Sequence, residues 1–168
     1  MDLFILRHGQ AEEISATIKS DSKRKLTVVG KKEIEDVAKS IKNLGIEFDY
    51  IITSPLKRAQ ETASIVASKL KTKKNNQMEW NELKPEGNRN EFYQKLSKLK
   101  EDSKVLIVGH EPSLSTILGE IINQGSSSCS IDLKKAGFAK IRILSKNPKI
   151  HGELKWLLTP RQVKKFIK

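Results

Sequence analysis

The stretch Leu3-Phe4-Ile5-Leu6-Arg7-His8-Gly9 decides the reading of this chain. Four apolar residues in succession predict a short buried strand. A strand that stops in Arg-His-Gly delivers a cation and an imidazole to the end of a sheet, where open α/β sheets gather their ligands. Gly9 lets the backbone turn sharply and lets a ligand come close. The arrangement suits a nucleophilic histidine beside an anion-binding arginine. By itself it also describes a strand that happens to end in charged residues, and two later segments decide between these.

The first is Ser54-Pro55-Leu56-Lys57-Arg58-Ala59-Gln60-Glu61-Thr62, which follows the strand-like run Tyr50-Ile51-Ile52-Thr53. Ser54 is the expected helix N-cap and Pro55 the first helical residue. Leu56, Ala59, Ala63, Val66 and Leu70 then recur at three- and four-residue steps, one face of a helix. Arg58 falls in or just after the first turn, where its guanidinium joins free backbone N–H groups and the positive end of the helix dipole. The second segment is Val105-Leu106-Ile107-Val108-Gly109-His110-Glu111-Pro112, with Leu114, Ile117, Leu118 and Ile121 on one face of a following helix. It repeats the strand-to-helix context of His8. Three strand ends carrying Arg7 with His8, Arg58, and His110 are therefore expected to converge on one pocket.

Leu-Arg-His-Gly, Ser-Pro-Leu-Lys-Arg-Ala-Gln-Glu-Thr and Val-Gly-His-Glu-Pro, in this order, resemble the histidine phosphatase superfamily, the phosphoglycerate mutase-like fold. The small size and Glu82-Leu83-Lys84-Pro85-Glu86-Gly87 are most similar to its SixA-type phosphohistidine phosphatase branch. The resemblance implies a metal-independent phosphatase without cofactor. His8 is its nucleophile and passes through a covalent phosphohistidine. Arg7, Arg58 and His110 bind phosphate, and Gly9 lies at the substrate. Broad phosphomonoesterases and mutases of the superfamily use a carboxylic acid to protonate the leaving alkoxide, and Glu82, after Trp80-Asn81, resembles that position. The SixA-type branch works without a dedicated acid. Glu86 and Glu111 are the weaker substitutes.

The chemistry agrees with these roles. Moving a phosphoryl group requires positioning, charge stabilisation and a nucleophile. Arg7 and Arg58 offer forked donors to phosphate oxygens. His8 attacks phosphorus only through a neutral nitrogen, and a carbonyl accepting from the other nitrogen would fix that tautomer. Cationic side chains supply the charge, so no metal is called for, and three histidines without a Cys/His cluster make a zinc site a poor fit. An alkoxide leaves poorly unless protonated, whereas an imidazole leaves phosphorus readily. General acid catalysis is worth roughly 10²–10⁴-fold, so its absence selects phosphohistidine over sugar phosphates. The leading expectation is a protein phosphohistidine phosphatase. The alternatives are a small-molecule or aryl phosphomonoesterase with Glu82 as general acid, and a non-catalytic phosphate- or polyanion-binding module.

At 168 residues the chain reads as a single domain, 1–168. No apolar stretch approaches the ~20 residues that span a bilayer, and no signal-peptide pattern opens the chain. One cysteine, Cys129, excludes an internal disulfide, and a reducing cytoplasm is the expected compartment. Its neighbours Ser126, Ser127, Ser128 and Ser130 predict a turn and no nucleophile role. The net charge of +12 attracts polyanions. Aromatic content of 5%, with no basic-aromatic interleaving, argues against nucleic acid as partner. The expected partners are a phosphorylated protein or a small phosphate ester, and phosphate ion, bound by a monomer.

The remaining pattern predicts an α/β class fold, a three-layer α/β/α sandwich with a mixed central sheet. A first strand covers residues 2–6, and a polar loop covers 10–26. A helix capped by Thr27 runs to about Leu44, stopped by Gly45. The second strand, 49–53, leads into the helix from Pro55. Residues 71–77 read as a polar connector, 80–90 as a loop and 92–99 as a helix. The third strand is 104–108 and its helix about 113–122. Ala139, Ile141 and Ile143, then Leu154, Trp156 and Leu158, predict a hairpin-like pair across residues 146–152, with His151 a surface residue of that connector. Thr159 and Pro160 begin a short last helix with Val163, Phe166 and Ile167 inward.

Overall fold

Leu3, Phe4, Ile5 and Leu6 lie within strand β1 (Asp2–Arg7), and none is more than 2% exposed. The computed structural model, which describes residues 1–16, 18–125 and 130–167, shows why the run is apolar without alternation. Leu3 and Ile5 pack into one core and Phe4 and Leu6 into another, on opposite faces of a sheet covered on both sides. In chain order the elements are β1, α1 (Val28–Asn43), β2 (Tyr50–Thr53), α2 (Lys57–Leu70), β3 (Gln77–Glu79) and α3 (Arg89–Ser97). They continue with β4 (Lys104–Gly109), α4 (Ser113–Ile122), β5 (Phe138–Ser145), β6 (His151–Leu158) and α5 (Pro160–Val163).

The six strands form one sheet in the order β3-β2-β4-β1-β5-β6. Strands β1 to β4 run parallel, and β5 and β6 join antiparallel at one side. Helices α1, α2 and α5 contribute Ile34, Val37, Ile41, Ala59, Ala63, Val66 and Val163 to one core. Helices α3 and α4 contribute Phe92, Leu96, Leu114, Ile117, Leu118 and Ile121 to the other. This is the expected three-layer sandwich with a mixed sheet. The parallel register pairs Arg7 with Gly109 and Thr53 with Val108, so β1, β2 and β4 all end at the same edge.

Several boundaries differ from the sequence reading for local reasons. Helix α2 starts at Lys57 with Leu56 as its N-cap, and the Ser54 side chain accepts the Leu56 N–H and meets His110. Strand β3 occupies the end of the predicted connector. It has one apolar residue, Met78, and exists by parallel pairing to β2 at the sheet edge. Helix α3 starts at Arg89, where the Asn88 side chain accepts the N–H groups of Asn90 and Glu91. His151 is the first residue of β6 and does not lie in a connector. Val163 is buried as expected, but Phe166 is 41% exposed. Thr27 does cap α1, accepting the Gly30 N–H at 3.0 Å. Gly45 follows that helix at φ +65°, a conformation glycine adopts at little cost.

Gly30 has a second kind of role. A methyl group there would overlap the carbonyl of Gln10, so only glycine lets α1 press its first turn against the chain leaving β1. The turn expected around Cys129 lies outside the described residues. Among the described residues no helix is long and apolar enough to cross a membrane.

Candidate active site

His8 lies one residue past β1 and is 7% exposed. Its backbone is held on both sides: the N–H donates to Gly109 O at 3.2 Å, and the carbonyl accepts from Ala136 N at 3.1 Å. Its ring Nδ1 is 2.7 Å from Gly9 O. A carbonyl oxygen only accepts, so Nδ1 carries the proton and Nε2 the lone pair. Arg58 Nε donates to that Nε2 at 3.2 Å. The reading that placed Arg58 early in a helix after β2 thus brings its guanidinium onto the unprotonated nitrogen of His8.

His110 follows β4 directly, and its ring centroid is 4.9 Å from that of His8. Its Nε2 is 2.9 Å from Ser54 Oγ, which also accepts the Leu56 N–H at 3.3 Å. Arg7 Nη1 donates to Leu133 O at 2.9 Å. Among the described residues, the buried side-chain polar atoms without a hydrogen-bond partner are Arg7 Nε, His110 Nδ1 and Ser113 Oγ. Buried polar atoms are nearly always paired. Two of these three belong to residues expected at the phosphate. Gly9 contributes its carbonyl to His8, while its own N–H faces Thr62 Oγ1 at 3.3 Å.

Burial is the largest influence on the two histidines. It lowers His8 to a pKa of about 4, helped by the charges of Arg58, Arg7 and Arg24 and opposed by the bond to Gly9. It lowers His110 to about 3, helped by His8, Arg58 and Arg7 and opposed by Asp21. Both rings are neutral at pH 7. In the unfolded chain they would titrate near 6.5. Between about pH 6.5 and 4 the unfolded state therefore binds more protons, so stability is full above that window and is lost as pH falls through it. The thermal midpoint should drop measurably from pH 7.5 to pH 4.5. A His8→Gln/His110→Gln double variant should drop less; equal drops would rule out the histidines as the cause.

Glu82 sits in the 3₁₀ turn Asn81–Leu83, with both carboxylate oxygens 2.8 Å from Lys95 Nζ of α3. Burial works to raise its pKa, but the hydrogen bond and charge of Lys95 outweigh it and hold the carboxyl below its usual range. Its bonded partner is thus Lys95 and none of Arg7, His8, Arg58 and His110. Glu111 accepts from Ser115 N at 3.2 Å and from Ser115 Oγ, inside the start of α4.

Two residues at the site were not singled out from sequence. Asp21, in the 3₁₀ turn Asp21–Lys23, takes both outer nitrogens of Arg58: Nη1 donates to its carbonyl at 2.9 Å and Nη2 to Oδ2 at 3.0 Å. Its Oδ1 accepts from Arg24 Nη1 at 2.8 Å. The spacing Asp21-x-x-Arg24 was visible within the polar loop. What was not visible is the bridge between Ala11 and Leu26, which closes that loop over the strand ends.

The sequence model described as Histidine phosphatase superfamily (branch 1) matches residues 3–87. The chain belongs to the histidine phosphatase superfamily. An uncharacterized protein of Picosynechococcus sp. is 33% identical over 165 residues, covering 96% of this chain and 98% of its own. A phosphohistidine phosphatase SixA homolog of Haemophilus influenzae is 34% identical over 129 residues, covering 72% of this chain and 77% of its own. Among solved structures, the protein histidine phosphatase SixA complexed with tungstate superposes with a TM-score of 0.81 at 25% identity. That alignment covers 96% of this chain and 98% of the other. The putative phosphohistidine phosphatase SixA from Agrobacterium tumefaciens has the same fold, with a TM-score of 0.77 at 19% identity. Histidine phosphatases of the SixA kind thus share both the sheet and nearly the whole length of this chain.

Proposed function

We propose that this histidine phosphatase hydrolyses phosphohistidine on a protein substrate through a covalent intermediate on His8, without a metal ion. The observation that carries the reading is the state of His8. It is neutral, with its proton held on Nδ1 by Gly9 O and its lone pair on Nε2, 3.2 Å from Arg58 Nε. Nε2 attacks phosphorus, the bond from phosphorus to the leaving imidazole breaks, and that imidazole takes up a proton from solvent. Water then attacks the phosphoryl group on His8. Its oxygen–phosphorus bond forms, the phosphorus–Nε2 bond breaks, and phosphate departs with His8 neutral again.

Arg7 Nε supplies a charged donor to an equatorial oxygen, and Arg58 Nε supplies another by passing from His8 Nε2 to the phosphoryl group, which frees the lone pair to attack. Ser54 Oγ accepts from Leu56, and in the tautomer this reading uses its proton goes to His110 Nε2. The imidazole proton of His110 then sits on Nδ1, a neutral third donor. A tetrahedral oxyanion, tungstate, is what the similar SixA structure is complexed with.

The substrate preference follows from Glu82. A carboxylate bonded twice to Lys95 and held below its usual pKa is a poor proton donor. Without an acid the site favours a leaving group that departs readily, and phosphohistidine has one. The test compares phosphate release from a phosphohistidine-bearing protein and from p-nitrophenyl phosphate, in wild type and Glu82→Gln. The expected result is a strong bias to phosphohistidine and less than about threefold loss in the variant, against the 10²–10⁴-fold expected of a general acid. A loss of that size on p-nitrophenyl phosphate would install Glu82 as the acid and replace this reading with an aryl phosphomonoesterase.

A further inference from the structure

A line of hydrogen bonds runs from the polar loop to the lone pair of His8. Arg24 Nε donates to Glu12 O, Arg24 Nη1 to Asp21 Oδ1, Arg58 Nη2 to Asp21 Oδ2, and Arg58 Nε to His8 Nε2. The Asp21 carbonyl takes Arg58 Nη1 as well. Residue 21 therefore grips the far edge of the Arg58 guanidinium with two acceptors, which fixes the plane of the group and leaves Nε directed at the nucleophile. The Arg58 side chain is 5% exposed and that of Asp21 46%, so the pair is buried on the arginine side and meets solvent on the carboxylate side.

The grip has an electrostatic consequence. Arg24 and Arg58 repel one another, and a carboxylate between them offsets that repulsion. Burial works to raise the Asp21 pKa, but hydrogen bonds from both arginines outweigh it, so the carboxylate is ionised at neutral pH. An anion-binding cleft thus carries a fixed negative charge in contact with one of its own cations. Such a charge does nothing for the capture of phosphate and weakens its retention.

We infer that Asp21 is a positioning residue with two effects: it aligns Arg58 on His8, and it offsets the arginine charge so that inorganic phosphate leaves the cleft readily. The inference rests on the active-site reading above and deepens it, adding how the product is let go.

Asp21→Asn keeps the side-chain shape and removes the charge; Asp21→Ala removes the grip. The probe is inorganic phosphate, titrated calorimetrically into wild type and both variants at low ionic strength, alongside steady-state turnover. Asp21→Asn is expected to bind phosphate about fivefold more tightly, the size of a single charge acting across a partly solvated cleft. Asp21→Ala is expected to lose about tenfold or more in kcat with KM unchanged or lowered, as misalignment of Arg58 dictates. A purely structural role would instead weaken phosphate binding and turnover together, along with the thermal midpoint. That outcome, or unchanged phosphate affinity in Asp21→Asn, overturns the inference. The titration needs no turnover, so it decides the role of Asp21 even if the phosphohistidine assignment fails. A wild type that binds no phosphate at all would sink both.

Discussion

His8→Ala abolishes phosphate release from a phosphohistidine protein, by roughly 10⁴-fold or more, as loss of a nucleophile does elsewhere. Among the described residues no other neutral side-chain nitrogen is hydrogen-bonded to Arg58 Nε, and water attacking directly would lack the fixed distance and lone pair that His8 Nε2 provides. The fold should survive. The strand that carries His8 is held by its backbone and by Leu3 to Leu6, none of which the substitution touches. Two measurements check the claim: turnover with added wild type as the control for substrate quality, and acid-labile phosphate labelling of the enzyme during turnover. Wild type should carry the label and the variant should not. A variant that still turns over at a tenth of the wild-type rate would remove His8 from the chemistry.

Arg58→Lys is the second large effect, a loss of about 10²–10³-fold in kcat/KM, comparable to removal of one oxyanion donor. The exchange keeps the positive charge and removes the geometry. A guanidinium reaches His8 through Nε while its two outer nitrogens are held by Asp21. An ammonium has one nitrogen and must choose between them. The loss should fall on kcat more than on KM, because Arg7 and His110 remain to hold the substrate. Steady-state kinetics on the phosphohistidine protein measure it, and a lysine variant within twofold of wild type would show that charge alone suffices at this position.

The parts of the fold that were legible in the sequence are those where burial dictates the pattern. Strands β1, β2 and β4 are covered by helices on both faces, so their residues are apolar without interruption and their ends are marked by the first polar side chains. The same marking put Arg7, His8 and His110 at strand ends, and the convergence of those ends is a consequence of parallel pairing. Strand β3 was invisible because Gln77-Met78-Glu79 owes its conformation to the neighbouring edge of β2 and not to its own residues. Ser54 reads as a helix cap because capping is local: its side chain does accept the Leu56 N–H ahead of α2, but its other partner, His110, is 56 residues away. Asp21 escaped notice for the same reason: only the closed loop brings it to Arg58. The tie between Glu82 and Lys95 is not legible in the sequence, where Glu82 stands in a loop and Lys95 in a helix 13 residues on. It depends on the course of α3.

The amide of His8 bonds to β4 through Gly109, and its carbonyl bonds to the approach to β5 through Ala136. His8 is therefore tied by its own backbone to the chain on both sides of β1, in the middle of the sheet. Its position is set by main-chain bonds that no side-chain substitution removes, so variation around it falls to Asp21, Arg24 and the loop that carries them.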